Sequence, residues 1–182
     1  EGAGIRPRDL DDFAKCPKLK RIVVCCPKIE REDIQVLAKF PKLESFVVVA
    51  DFSVFGYYPT QYAEISEDAF RELLKLPLKD IRLESPMTEQ RMKAFGDCDS
   101  LEELSLKCNK NHGDIWKSFR SPKNLRKLQI FATPLSPDSL APLTHHEKLE
   151  ELTIDTNDWQ SEPWEEIAKI PNLEYLSIGG SG

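Results

Sequence analysis

The sequence predicts an α/β fold in which about seven short strand–helix repeats stack into a solenoid, and three observations predict it. An eight-residue phrase, approximately Pro-x-Leu-x-x-Leu-x-Leu, occurs seven times along the 182 residues. Five of the six intervals between its first leucines are 23 or 24 residues, and one is 35. Apolar residues with helical spacing lie between the phrases. Self-similarity at such a period is typical of a solenoid, in which each repeat packs on its neighbours.

Each phrase predicts a strand with one buried face. Counted from its first leucine, its apolar residues lie at the first, fourth and sixth positions, and the last two alternate with period two. One such strand cannot bury its apolar face alone, whereas seven parallel strands side by side can. The first leucines of the seven phrases are Leu19, Leu43, Leu78, Leu101, Leu125, Leu149 and Leu173.

A short helix is predicted before each strand. Apolar residues nine and six positions ahead of the first leucine form one helical face in otherwise polar stretches. Ser66, Ser136 and Ser161 precede acidic residues or a first-turn proline, which is typical of helix N-caps. The first helix is predicted at residues 7–15. Six apolar pairs have this spacing: Leu10/Phe13, Ile34/Leu37, Met92/Phe95, Trp116/Phe119, Leu140/Leu143 and Trp164/Ile167. The pair before the third strand, Phe70/Leu73, lies eight and five positions ahead of Leu78, because that repeat has lost one residue.

The interval of 35 residues indicates an insertion at residues 51–62, directly after the second strand. Loops that break the period of a repeat scaffold often carry its function. Aromatic side chains are enriched in binding hot spots because they bury much area with few rotatable bonds. The insertion carries Phe52, Phe55, Tyr57, Tyr58 and Tyr62.

A strand followed by a short helix, repeated at 24 residues with Leu-x-x-Leu-x-Leu, resembles the leucine-rich repeat family. The resemblance covers residues from about Leu10 to Ile178. Helical segments between the strands are similar to those of the intracellular types, including the repeats of F-box adaptor proteins. The resemblance implies a horseshoe with a parallel sheet on its concave face, formed by residues 1–182 as a single domain.

The family resemblance also implies which residues meet a partner, because the residues that flank the buried leucines point outward from the strands. This outward row is largely apolar in the first two repeats and mixed or charged later. We expect partner contacts from the aromatic insertion together with Val23, Val47, Val49, Arg82, Lys107 and Phe131. In an alternative interpretation, the insertion folds back over Val47 and Val49 as a lid. The sequence leaves both interpretations open.

Charged pairs at the start of three successive strands predict attraction between neighbouring repeats. Glu102–Glu103 and Glu150–Glu151 lie two repeats apart at the same offsets, and Arg126–Lys127 lies between them. Opposite charges side by side on adjacent strands stabilise a sheet. Steering of a charged partner is the second interpretation.

Composition argues against several classes of partner. The formal charge of −6 disfavours a nucleic-acid binder, and no apolar run approaches the roughly 18 residues that would span a bilayer.

The five cysteines are an odd number, and no Asn-x-Ser/Thr acceptor occurs. These features favour a reducing compartment, the cytoplasm or nucleus. The first residue is Glu rather than Met, so we expect a piece of a longer protein.

No catalytic, metal or cofactor site is expected. Cys108 and His112 could supply two zinc ligands and Cys25–Cys26 two more, but the pairs lie about three repeats apart, and zinc needs four donors within a few ångströms. Cys16 and Cys98 are interpreted as small buried apolar residues. No nucleophile with a matching base is recognisable. We therefore expect neither an enzyme nor a small-molecule substrate.

The function predicted from these features is recognition of a partner protein through the concave face and the aromatic insertion. A concrete form is the substrate-recognition part of a ubiquitin-ligase adaptor, which rests on the family resemblance alone. The alternative is a structural subunit of a stable complex. It would pack through the C-terminal end, where the sequence leaves the last strand without a polar cap.

Overall fold

The structure, a computed structural model, describes residues 6–49, 62–108, 113–131, 135–156 and 163–180. The chain forms two compact units, Glu1–Pro86 and Met87–Gly182, called the N-terminal and C-terminal units below. Both combine parallel strands with short helices, so the protein is a mixed α/β chain that is compatible with the predicted leucine-rich-repeat fold. The single domain and the horseshoe stay predictions.

The N-terminal unit starts with a 3₁₀ helix at Pro7–Lys15. Strands β1, β3 and β5 pair in parallel, and Ile22, Phe46 and Ile81 lie at one level across them. The two-residue strands β2 and β4 form a separate parallel pair. The elements are β1 (Arg21–Cys25), β2 (Lys28–Ile29), α1 (Arg31–Leu37), β3 (Ser45–Val49), β4 (Glu64–Ile65), α2 (Glu67–Leu73) and β5 (Asp80–Glu84).

The C-terminal unit continues the alternation of helix and strand. Its strands β6 to β9 pair in parallel with their neighbours, and Leu104, Leu128, Leu152 and Leu176 lie at one level. The elements are α3 (Glu89–Ala94), β6 (Glu103–Lys107), β7 (Lys127–Phe131), β8 (Glu151–Asp155), α4 (Trp164–Ile167) and β9 (Tyr175–Gly179), with 3₁₀ helices at Phe95–Asp97, Gly113–Ser118 and Pro137–Leu143. All seven strands predicted from the leucine phrases are therefore present.

The core is formed by the alternating apolar residues of the strands and by the apolar faces of the helices. In β6, β7 and β8 every second residue is buried, as period two requires. Burying one such leucine or isoleucine contributes about 1.5–3 kcal/mol. Aromatic rings also contact one another in this core. The ring centroids of Trp116 and Phe119 lie 5.4 Å apart, and those of Phe119 and Phe95 lie 6.3 Å apart.

Two N–H groups of one repeat share a single carbonyl of the repeat before it. Lys20 O accepts from Glu44 N at 2.8 Å and from Ser45 N at 2.9 Å. The same arrangement recurs at Glu44 O, Glu102 O, Arg126 O and Glu150 O. Because these bonds lie just before the strands, they fix the register of each strand relative to the strand before it.

Helix starts follow the sequence signals, but several helices are 3₁₀ rather than α. Ser66 Oγ accepts from Ala69 N at 3.3 Å, which confirms the predicted N-cap. Ser136 also precedes a helix, whereas Ser161 lies outside the described residues. The helix that follows Ser136 contains Pro142 in its interior, which lacks the N–H donor that an α-helix uses there, whereas Pro137 lies at the first position, where no such donor is needed.

A buried aspartate attaches the N-terminal 3₁₀ helix to α1. The Asp33 side chain is fully buried, and its carboxylate accepts from Arg6 Nη2 at 2.5 Å, Arg8 Nε at 2.7 Å and Glu30 N at 2.8 Å. Burial alone raises the pKa of Asp33. Hydrogen bonds from Arg8, the Glu30 amide and Arg6 outweigh that effect and hold the pKa below its ordinary value of 3.8. We call this cluster the Asp33 clamp.

Candidate partner-binding surfaces

The outward side chains of β1, β3 and β5 form the N-terminal face, and its apolar part is smaller than the sequence predicts. Val23 is 44% exposed, but Val47 is only 5% exposed. The expected exposure of Val47 is therefore wrong, because this short side chain lies on the middle strand between Val23 and Arg82. Val49 is half-buried. Whether any of these residues binds a partner stays a prediction.

Polar contacts also hold part of the N-terminal face. Ser45, which lies in the outward row of β3, is buried, and its hydroxyl donates to Asp80 Oδ2 at 2.7 Å. Arg82 Nε donates to the other oxygen of the same carboxylate at 3.1 Å. The Arg82 side chain remains 37% exposed. A guanidinium oriented by a fixed carboxylate and still accessible to solvent is suited to meet an acidic or carbonyl group.

The aromatic residues of the insertion lie mostly outside the described residues, including Phe52, Phe55, Tyr57 and Tyr58. Tyr62 is described and is half-buried. The chain after it is attached to the N-terminal unit, since Ala63 N donates to Glu84 O and Glu64 N to Pro27 O, at 2.9 and 2.8 Å. The choice between a contact loop and a lid stays open.

The C-terminal face, formed by the outward side chains of β6 to β9, carries three rows of half-buried or exposed residues. The rows follow from the strand register. The first is Glu103, Lys127, Glu151 and Tyr175; the second is Ser105, Gln129, Thr153 and Ser177; the third is Lys107, Phe131, Asp155 and Gly179. The second row is neutral and rich in hydrogen-bonding groups, and the third places an aromatic ring between a lysine and an aspartate.

Ion pairs cross the C-terminal unit at the start of its strands. Arg126 donates to both oxygens of Glu150, at 2.9 and 2.7 Å, and Lys127 Nζ lies 3.0 Å from Glu151 Oε1. The hydrogen bonds to Glu150 raise the pKa of Arg126. These contacts confirm the predicted attraction between neighbouring strands. Because all four side chains are partly exposed, water screens these pairs and each contributes little to stability.

The cysteines carry no metal site or disulfide within the described part of the chain. All five are free thiols, and no group of three His, Cys, Asp or Glu side chains among the described residues could hold a metal. Burial raises the pKa of Cys98 to about 11 and that of Cys108 to about 12. Cys98 is buried as expected, but Cys16 is exposed because it ends the outermost helix of its unit.

Within the described ranges, no helix combines the length and the apolar character that crossing a bilayer requires.

Comparison with known proteins shows a partial similarity to a plant protein. No family model matches the chain. The receptor-like protein EIX1 of Solanum lycopersicum is 32% identical over 89 residues, which are 48% of this chain and 9% of that protein. The chain therefore spans under a tenth of the length of that curated relative. The similarity, together with the parallel strands, favours a repeat of the leucine-rich type. It does not distinguish the intracellular F-box type.

Proposed function

We propose that the chain recognises a partner protein through the outward faces of its strands, with the C-terminal face as the main contact surface. The observation that supports this proposal best is the strand register: the residues of each row lie side by side on parallel, paired strands. Every second residue beneath them is buried, so the backbone that presents Gln129 and Phe131 is held by the core. A preorganised surface loses little conformational entropy on binding.

The residues proposed to contribute most are Phe131 and its neighbours. Phe131 lies between Lys107 and Asp155 and is half-buried in the free chain. Aromatic residues in such positions are typical hot spots, and truncating one costs about 1–3 kcal/mol of binding free energy. On the N-terminal face, Val23 and Arg82 are the accessible residues proposed to add contacts.

Site-directed photo-cross-linking tests this proposal. A photoreactive amino acid replaces Gln129 on the C-terminal face, and a control variant carries it at Ala141, an exposed position on the 3₁₀ helix at Pro137–Leu143. We expect protein adducts at position 129 that disappear when Phe131→Ala is added, and none at 141. Equal labelling at both positions, or adducts that Phe131→Ala leaves unchanged, would contradict the proposal.

The finer proposal, recognition of substrates for a ubiquitin ligase, is supported by the family resemblance alone. It predicts that proteins cross-linked at position 129 become more abundant, and less ubiquitinated, when the gene is deleted. Partners whose abundance and ubiquitination do not change would exclude the adaptor role. The broader proposal of protein recognition would stand in that case.

A binding role without catalysis, in the cytoplasm or nucleus, completes the proposal. The five free thiols support a reducing compartment. Their burial also supports a structural rather than a reactive role for Cys26, Cys98 and Cys108, because raised pKa values leave the thiols protonated at neutral pH. Fluorescence of a tagged full-length protein in the secretory pathway would contradict the location.

One observation favours the second candidate function, a structural subunit of a stable assembly. Leu176 and Ile178 on β9 are exposed, although the equivalent Leu152 and Ile154 on β8 are fully buried. An apolar strand face of this kind is suited to cover by another protein surface. Solution mass tests this candidate, because a strict monomer at high concentration would disfavour it.

A further inference from the structure

Four outward side chains on β7 and β8 form a square, called the β7–β8 square below: Gln129, Phe131, Thr153 and Asp155. The strand register places Gln129 beside Thr153 and Phe131 beside Asp155, and all four residues are half-buried. Both strands lie between β6 and β9, so each has a paired strand on either side. We propose that the β7–β8 square binds an arginine side chain of the partner protein, an inference that rests on the function proposed above.

The carboxylate of Asp155 supplies the negative charge for this contact. Among the described residues, none forms a hydrogen bond or an ion pair with the Asp155 side chain. Other outward carboxylates differ in this respect. Asp80 pairs with Arg82 at 3.1 Å, and Glu151 pairs with Lys127 at 3.0 Å. Because a half-buried carboxylate has lost part of its hydration, a cation that binds to it compensates for that loss.

The neighbours of Asp155 suit a flat cation. On one side, Phe131 supplies an aromatic ring on which a guanidinium stacks while its N–H groups bind the carboxylate. On the other side lies Gly179, which has no side chain. A Cβ on Gly179 would lie 3.7 Å from both Cγ and Oδ1 of Asp155, so the carboxylate leans over the glycine. No side chain of β9 covers the carboxylate at this level.

Gln129 and Thr153 supply acceptors for the remaining N–H groups of an arginine. A guanidinium has five N–H donors, of which a carboxylate accepts two in a bidentate contact. The amide oxygen of Gln129 and the hydroxyl of Thr153 belong to the preceding row, about 6.6 Å away along the strands. Neither side chain forms a hydrogen bond with another described residue. These acceptors favour arginine over lysine, whose ammonium has three donors and does not stack on a ring.

The charges around the square favour a basic rather than an acidic partner group. Lys107 lies beside Phe131 on β6, on the side away from Asp155. A cation over the Phe131 ring is therefore repelled from β6 and attracted toward β8. The formal charge of the chain is −6, which attracts basic segments at longer range. A carboxylate in the same place would meet Asp155 and be repelled.

NMR titration with Nα-acetylarginine amide tests the inference before the partner is known. We expect the backbone amide signals of the β7–β8 square to shift, and to shift less with Nα-acetyllysine amide at the same concentration. Asp155→Asn should weaken binding of the arginine probe at least about tenfold. Asp138→Asn, the same substitution at an exposed aspartate on the 3₁₀ helix at Pro137–Leu143, should leave binding unchanged.

Three results of this titration would overturn the inference. They are a lack of shifts in the square, equal shifts with the two probes, and shifts that Asp155→Asn does not reduce. Unfolding in urea is a further check, because a carboxylate without an internal partner should not stabilise the fold. Asp155→Asn should therefore unfold at the wild-type midpoint, and a lower midpoint would also overturn the inference.

Photo-cross-linking from Ser105 separates this inference from the proposed function. Ser105 lies in the second row of the C-terminal face, on β6, so a photoreactive amino acid there leaves the β7–β8 square intact. We expect protein adducts that either Phe131→Ala or Asp155→Asn removes. Adducts that Phe131→Ala removes but Asp155→Asn leaves unchanged would overturn the arginine contact, while the proposed function would stand. Absence of adducts in the otherwise wild-type chain would contradict both.

Discussion

Replacing Asp33 with asparagine removes the negative charge that holds the N-terminal 3₁₀ helix on α1. The asparagine side chain keeps one acceptor oxygen but points an NH₂ donor at the guanidinium donors of Arg6 and Arg8, which now contact the carboxylate at 2.5 and 2.7 Å. A hydrogen bond between charged groups contributes about 1.5–3 kcal/mol. Because both arginines are partly exposed and regain water, we expect a total loss of about 2–4 kcal/mol.

Urea unfolding followed by circular dichroism measures this loss. With a denaturant slope of about 1–3 kcal/mol per molar urea, the midpoint should fall by roughly 1–2 M. Glu32→Gln is the matched control, since Glu32 is the adjacent acid, is exposed, and lies 4.0 Å from Arg8. Its effect should stay under about 0.5 kcal/mol. If Asp33→Asn unfolded at the wild-type midpoint, the Asp33 clamp would not stabilise the fold.

The contribution of the Asp33 clamp to the unfolding free energy should depend on pH, and Asp33→Asn tests the direction of that dependence. The pKa of Asp33 is lower in the folded state than its ordinary value of 3.8, so the clamp contributes fully above the unfolded pKa of about 4. The contribution is lost as pH falls through the folded pKa. The difference in unfolding free energy between wild type and Asp33→Asn should therefore be constant near pH 7 and shrink below about pH 4. A difference that grows toward acid pH would refute this assignment.

Two further predictions concern backbone packing and thiol reactivity. A Cβ on Gly96 would lie 2.7 Å from the Arg120 Cβ, which is too close for an ordinary contact. Gly96→Ala should therefore lower the unfolding free energy, measured by urea titration, by about 1–3 kcal/mol. Gly179→Ala is the control and should be neutral, because the nearest atom to its new Cβ would be 3.7 Å away. An equal effect of both substitutions would contradict the steric explanation. A thiol-specific chromogenic reagent should label the exposed Cys16 in the native protein but reach the buried Cys108 only on unfolding. Native labelling of Cys108 at the rate of Cys16 would contradict its burial.

The periodic part of the fold could be predicted from the sequence because the spacing of the apolar residues determines which side chains are buried. Each Leu-x-x-Leu-x-Leu phrase produced a strand, and residues such as Leu128 and Ile130 are fully buried as predicted. The alternating charges also predicted the contact between Arg126 and Glu150. These are properties of neighbouring repeats at a fixed separation, so the sequence spacing alone places the partners together.

Features that depend on single side-chain contacts could not be predicted in this way. Val47 was expected on the surface because its position in the repeat is outward, but its burial depends on Val23 and Arg82 on the neighbouring strands. The Asp33 clamp joins residues about 25 positions apart. Its only signal is a pair of arginines ahead of an acid in the first turn of α1, a pattern that is also common on solvated helices.

The candidate site was predicted in part. The residues of the C-terminal face, including Lys107 and Phe131, lie on the outward rows that the strand period predicts. The aromatic insertion, which the sequence predicts to be the main contact segment, falls largely outside the described residues, so its contribution stays a prediction. The exposure of Leu176 and Ile178 does not follow from residue type, since Leu152 and Ile154 at the equivalent positions of β8 are fully buried.

The short strand pair formed by β2 and β4 anchors the chain that follows the insertion, which matters for loop engineering. Ile29 and Ile65 are both buried, and Ser66 N donates to Ile29 O at 2.9 Å, so the chain after the insertion is attached again before α2 begins. The strand β3 ends on the other side at Val49. Lengthening the stretch between two fixed anchors costs only about 0.6 kcal/mol for each doubling of its length. A reporter peptide or a foreign recognition loop could thus replace residues 51–61 while the repeats on either side keep their register.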